Sequence, residues 1–179
     1  TTIATGEKQE FTWDHRNRLT NVTYRTGPSG SATKTIDYEY DYLNQLVKRI
    51  EDPDGDTPSA AIDQTFFLYE KGQVALEFHQ TGSGNLDVND LSHRYLWNPQ
   101  AVDQLFADEQ VTSLYSAGAT MWTMTDHLGS VRDVIDLNGT LRIHRNYDGF
   151  GNIIDETHYN ASGTQVTSGQ SGYVDEAFA

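Results

Sequence analysis

Apolar and polar residues alternate in short runs, and each run ends in turn-forming residues. Phe11-Thr12-Trp13 and Tyr38-Glu39-Tyr40 place aromatics two positions apart, the period that puts side chains on one face of a β-strand. The residues that follow, Asp14-His15-Arg16-Asn17 and Asp41-Tyr42-Leu43-Asn44, have turn chemistry. Asp binds its own backbone, and Asn tolerates the left-handed region. Leu19 and Leu46-Val47 then open a return strand. The pattern predicts β-hairpins.

The hairpin recurs. Asp14 returns as Asp41, 27 residues on, inside the same string of aromatic, any residue, aromatic, Asp, two residues, Asn, any residue, Leu. Weaker copies begin at Phe67-Leu68-Tyr69-Glu70, with Gly72-Gln73-Val74 at the turn, and at Tyr95-Leu96-Trp97-Asn98. A fifth runs through Trp122 and Asp126-His127-Leu128-Gly129-Ser130-Val131, and a sixth through Tyr147-Asp148-Gly149-Phe150-Gly151-Asn152. Asp136-Leu137-Asn138-Gly139-Thr140 is a further turn centred on Asn-Gly. A period of 20–50 residues marks a repeat architecture. The expectation is an all-β chain of about six repeated antiparallel hairpins, one repeat region over residues 1–179, forming a curved sheet.

Between the copies, the Gly/Ser/Thr-rich stretch 26–33, the Asp/Pro-rich stretch 51–60 and the Gly/Asn/Asp-rich stretch 81–90 read as loops. Residues 159–172, rich in Ser, Gly and Thr, read as a flexible loop or an extended connection. From Pro99 to Asp108 two readings stay open. Val102, Leu105 and Phe106 fall at helical spacing, and Val102 to Val111 also reads as a strand.

Composition narrows the function. Only 36% of residues are hydrophobic, and ten Tyr, seven Phe and three Trp carry much of the core. Their apolar bodies and polar tips suit half-buried sheets. A net charge of −14 argues against nucleic-acid and anionic-membrane partners, which require clustered Lys and Arg. The absence of cysteine excludes disulfides, thiol catalysis and Cys-based zinc sites. No run approaches the ~20 apolar residues of a membrane helix. The chain opens on Thr1 instead of Met, so a fragment of a longer protein is expected.

The repeats resemble the YD-repeat, or Rhs, family. The first two copies follow its Tyr-Asp-x-x-Gly/Asn-x-Leu pattern. Later blocks resemble the late part of the Rhs core: His93-Arg94-Tyr95-Leu96-Trp97, the run from Val102 to Glu109, Asp126-His127-Leu128-Gly129-Ser130-Val131-Arg132, and Tyr147-Asp148-Gly149-Phe150-Gly151-Asn152. The family usually carries Pro at the position of Gly149. The resemblance extends from about Phe11 to Ala179. It implies a segment of a spiral β-shell, as in polymorphic toxins, toxin-complex C components and teneurins, secreted or at the cell surface. Such a shell encapsulates or displays a C-terminal effector. The motif with self-cleaving aspartates that closes such cores is expected beyond this chain, so no catalytic residue is carried over. The expected partners are the rest of the parent chain and an enclosed C-terminal toxin. Self-association is expected through exposed sheet edges.

Other clusters compete with this reading. Asp126, His127 and Ser130 have the residue types of a hydrolase triad. They sit in a repeat turn, and Asp14-His15 repeats the pairing, so a non-enzymatic chain is expected. Asp52, Asp54 and Asp56 alternate as calcium ligands can, without EF-hand spacing. Asp87, Asn89 and Asp90 form a second acidic turn. No cofactor is expected, with calcium as the alternative. Trp13, Trp97 and Trp122, read as equivalent repeat positions, are candidates for stacking sugars in a carbohydrate-binding or adhesin module. The six histidines lack zinc-ligand spacing. Asn21, Asn138 and Asn160 head glycosylation sequons. The residues expected to fix hairpin register are Trp13, Asp14, Tyr40, Asp41, Asp126, Leu128, Gly129, Tyr147, Asp148, Phe150 and Gly151.

Overall fold

The computed structural model describes residues 7–55, 62–101 and 103–174. The chain packs as two units, Thr1–Ser92 and His93–Ala179. The first holds β1 (Lys8–Trp13), β2 (Leu19–Arg25), β3 (Ala32–Tyr40), β4 (Leu46–Asp52), β5 (Asp63–Glu70) and β6 (Gln73–Thr81). A 3-10 turn at Val88–Asp90 follows, and β7 (Leu91–Trp97) starts on the last two residues of this unit. The second unit continues with β8 (Leu105–Gln110), β9 (Ala119–Thr125), β10 (Val131–Asp136), β11 (Leu141–Tyr147), β12 (Ile153–Tyr159) and the two-residue β13 (Gln165–Val166). Within each unit the strands lie in chain order and neighbouring strands pair antiparallel. The fold is all-β and built of repeated hairpins, as the alternation predicts.

Small cores form where apolar residues face one another across strands. In the first unit Phe11 pairs with Val22 and Val22 with Ile36, and Val22 and Ile36 are buried. In the second, Val134 and Ile143 pair directly and are both 0% exposed. Met121 joins them, and Val131 and Val174 pack alongside. Most other strand residues are only half-buried.

Three expectations need revision. The stretch after Pro99 is a loop followed by β8, not a helix. The Asn98 carboxamide captures the Gln100 amide at 2.9 Å, Asp103 takes φ 58°, and the chain then extends. Val102 lies outside the described residues. Trp122 is not equivalent to Trp13 and Trp97, which directly precede Asp14 and Asn98. Trp122 sits inside β9, paired with Ala107 on one side and Ile135 on the other, and Thr125 precedes Asp126. The third copy turns on two residues, Lys71 and Gly72, at φ 52° and 88°. Two positive φ values give the type I′ turn, whose twist matches that of the strands.

Residues 159–172 hold a turn at 160–164, strand β13 and a second turned segment. That segment returns over the sheet, where Val174 meets the core of the second unit.

Candidate functional site

The repeated chemistry lies in the turns. Counting the capping residue as position one, six turns among the described residues share one hydrogen-bond set, headed by Asp14, Asp41, Asp126, Asp136, Asp148 and Asn160. In each, the Oδ1 of position one accepts from the amides of positions three and five at 2.8–3.1 Å. The position-one amide donates to the position-five carbonyl at 2.9–3.0 Å, and the position-four amide donates back to position one. Position four takes positive φ: 61° at Asn17, 69° at Asn44, 87° at Gly129 and Gly151, 77° at Gly139 and 75° at Gly163. Only Gly and Asn adopt that conformation readily. One side chain thus satisfies two amides that a tight turn would otherwise leave to water.

The carboxylates respond accordingly. The Arg18 amide, with the Arg18 guanidinium and the Arg16 amide, holds Asp14 down at about 2 against partial desolvation. The Leu128 and Ser130 amides lower Asp126. The Asn152 carboxamide, followed by turn amides, lowers Asp148. At Asp136 burial opposes the charge, and the Thr140 and Asn138 amides outweigh it. Hydrogen bonds to the ionised form favour it in every case.

The aromatic before the turn has a second role that the sequence did not reveal. The Tyr40 hydroxyl donates to the Leu19 carbonyl at 2.9 Å, Tyr69 to Leu46 at 2.9 Å, and Tyr147 to Val131 at 2.7 Å. Each acceptor is the cross-turn partner of the aromatic or Thr in the preceding copy: Leu19 of Trp13, Leu46 of Tyr40, Val131 of Thr125. These three tyrosines therefore tie their hairpins to a preceding one. Arginines add a second tie in the first unit. Arg18 grips Asp14 at 2.7 Å, donates to the Asp41 carbonyl at 3.0 Å and lies 4.8 Å from the Tyr40 ring centre. Arg16 reaches the Tyr42 carbonyl at 3.2 Å. The one signal for these ties was that Tyr or Trp directly precedes most turns.

Leu128 and Phe150 act through their amides, and their side chains stand in solvent, Phe150 at 94% exposure. Asp126 and Ser130 are joined carboxylate to amide within the turn, and His127 is exposed. Asp52 accepts from the Asp54 and Gly55 amides at 3.2 Å each. Asp56 lies outside the described residues. Asp87 caps the 3-10 turn that contains Asn89 and Asp90. Among the described residues no group of three or more His, Asp or Glu is arranged to hold a metal. Trp13 is 55% exposed, whereas Trp97 and Trp122 are half-buried. Asn21 is engaged with Asp37 at 2.7 Å, and Asn160 is the acceptor of its own turn. Asn138 stands exposed.

No family model matches the chain, and no curated protein matches it. Solved structures do match. The chain is similar to the TcdB2-TccC3 crystal structure at 14% identity and TM-score 0.55, over 87% of this chain. It is similar to TcdB2-TccC3 without its hypervariable C-terminal region at 14% identity and TM-score 0.56, over 87%. It is also similar to TcdB2-TccC3-Cdc42 at 15% identity and TM-score 0.55, over 90%. The chain spans about 7% of the length of each. The likeness is one of fold. The class it defines is an all-β hairpin-repeat protein, and the particular arrangement is Rhs-like.

Proposed function

We propose that the chain is a non-enzymatic wall segment of a secreted or cell-surface Rhs-type protein, whose larger shell encloses or displays a C-terminal effector. The observation that carries this is the tyrosine tie. A hairpin alone cannot bury its apolar face and needs neighbours. Here Tyr40, Tyr69 and Tyr147 spend their hydroxyls on the preceding hairpin. The segment works through packing and main-chain bonds and takes no cofactor. Its partners are the flanking parts of its own parent polypeptide and the effector behind the wall.

The test uses the parent protein. It is purified by size exclusion, treated with protease and analysed by mass spectrometry. The expected result is a C-terminal region that co-elutes with the repeats and resists digestion. A C-terminal region digested at the rate of an unfolded chain would overturn the enclosure.

A binding module is the second reading, favoured by the exposed aromatics Trp13, Tyr42 and Phe150. Glycan-array binding lost in Trp13→Ala would support it.

A further inference from the structure

We propose that the two faces of the second unit's sheet have opposite assignments: the face bearing Val134 and Ile143 looks toward the enclosed effector, and the face bearing Asp133 and His144 looks outward. The inference rests on the reading of this chain as a wall segment, and it names the side of that wall the effector occupies.

The register separates the two faces. One cross-strand row runs Thr123, Val134, Ile143, His158 and Val166, from β9 to β13. All five are buried, at 6%, 0%, 0%, 7% and 8% exposure. The adjacent row runs Met124, Asp133, His144 and Thr157. Side chains one residue apart on a strand point to opposite faces, so this row belongs to the other side. Met124 is 42% exposed, and the Asp133 and His144 side chains are 37% and 35% exposed. Thr157 is half-buried. One face of the sheet is therefore covered and the other open.

The chain's own return covers the first face. After β13 it makes two successive turns, with Gln170 N donating to Thr167 O at 3.0 Å and Tyr173 N to Gln170 O at 3.2 Å. Arg142 Nη2 donates to the Gly172 carbonyl at 2.9 Å. The Tyr173 ring stacks on His158 at 4.3 Å, and the Val174 carbonyl lies 3.1 Å from His158 Nδ1. The Val174 side chain packs against the core of Met121, Val134 and Ile143. His158, Val134 and Ile143 are members of the buried row, and Met121 shares its face, two residues from Thr123 on β9.

The route fixes the side. Val174, the last of the described residues, is packed on the covered face, so the chain continues from that face. From β8 to β13 each strand pairs with the next, and the sheet offers no opening through which the chain could pass to its other side. In a wall whose effector lies C-terminal to the repeats, the continuing chain and the effector occupy the side from which the chain departs. The open face suits the outside. Its row is mostly polar, and the Asp133–His144 pair at 2.6 Å is made where both side chains still reach solvent.

Single cysteines test this, because the chain has none of its own. Asp155 is exposed and lies on the open face, two residues from Thr157 on β12. Ser171 is exposed on the returning segment. Asp155→Cys and Ser171→Cys are made in the full-length parent protein and treated with a maleimide carrying a long polyethylene glycol chain, a thiol reagent too bulky to pass a closed wall. Modification is read as a gel shift, with the unsubstituted parent as background. The expected result is modification of Asp155→Cys in the native parent and loss of modification of Ser171→Cys, restored when urea unfolds the protein. Ser168→Cys, exposed on the same segment, repeats the measurement if Ser171→Cys misfolds. Native modification of Ser171→Cys with Asp155→Cys protected would overturn the assignment of faces and leave enclosure intact. Protection of both would overturn the outward face. Native modification of both would overturn enclosure itself, and with it the reading of the chain as a wall.

Discussion

Replacing Tyr147 by Phe removes one oxygen atom and leaves the ring. In the structure that oxygen is the donor to the Val131 carbonyl at 2.7 Å. Losing it ends one neutral hydrogen bond, worth about 0.5–1.5 kcal/mol net, leaves the carbonyl to find water, and also removes an oxygen that interacts with the buried Arg145 guanidinium. Tyr40→Phe and Tyr69→Phe remove the equivalent bonds to Leu19 and Leu46. Tyr38→Phe is the internal control. Tyr38 lies two residues from Tyr40 on β3, and its hydroxyl makes no protein hydrogen bond among the described residues. Its loss should change stability by less than about 0.5 kcal/mol.

Thermal unfolding followed by circular dichroism measures the difference. A loss of 1 kcal/mol lowers the Tm by about 4–8 °C for a cooperative unit of 60–100 residues and by about 2–4 °C for a larger one. The Tyr40→Phe/Tyr69→Phe double variant should lose about 1–3 kcal/mol, with non-additivity. Coupling is expected because Tyr69 binds the carbonyl of Leu46, the cross-turn partner of Tyr40. Equal Tm values for the Tyr38 and Tyr147 variants and the wild type would refute the tie. The aromatics would then serve only as apolar bulk.

At Gly151, φ is 87° and an added Cβ would meet nothing within 4 Å, so substitution is penalised through the backbone alone. Gly151→Asn should be nearly neutral, Gly151→Ala should lose about 1 kcal/mol and Gly151→Val about 2 kcal/mol or more in urea titrations. A Gly151→Ala variant as stable as wild type would exclude the left-handed turn. Because Asp14 is held at about 2 in the folded state and lies near 3.9 unfolded, its contribution is complete above about pH 4 and lost as pH falls toward 2. Acid unfolding of wild type against Asp14→Asn should show a shallower decline in the variant over that window, and identical slopes would refute the assignment. Arg18→Lys should not restore the link between the first two turns, because one ammonium cannot reproduce the guanidinium fork. Faster amide exchange at Asn44 and Gln45 in Arg18→Lys checks this, and wild-type exchange would show that the clamp is dispensable.

The turns were legible because their chemistry is local. Asp followed three residues later by Asn or Gly writes the hydrogen-bond set directly, and Asp14, Asp41, Asp126 and Asp148 all adopt it. Asn160 was not legible as a turn cap because residues 159–172 read as one Ser/Gly/Thr-rich loop, although Tyr159 precedes it as Tyr40 precedes Asp41. The tyrosine ties were not legible, since the acceptor is a carbonyl that any residue can supply. Trp122 was misplaced for the opposite reason: an aromatic near Asp126 fits the pattern by composition, although it lies four residues back. The return of residues 167–174 over the second unit gave no signal at all. Its anchors, Gly172 and Val174, act through backbone oxygens, and only the fold brings Arg142 and His158 to them.

These turns also answer a problem of register. In the first unit one cross-strand row runs Thr12, Asn21, Asp37, Ile50, Gln64 and Gln80, which is almost wholly polar. The adjacent row on the opposite face begins Phe11, Val22 and Ile36 but continues Glu51, Asp63 and Thr81. A one-residue slip in β5 would exchange a polar row for another polar row, so hydrophobic burial specifies register weakly there. Side-chain bonds such as Asn21 to Asp37 at 2.7 Å and Gln64 to Gln80 at 3.2 Å help. The stronger constraint comes from the hairpin ends, where an Asx cap or a type I′ turn allows one alignment only. With 36% hydrophobic residues, such a sheet sets its alignment at the turns and its stacking through the tyrosines, and it leaves both faces free to be largely polar.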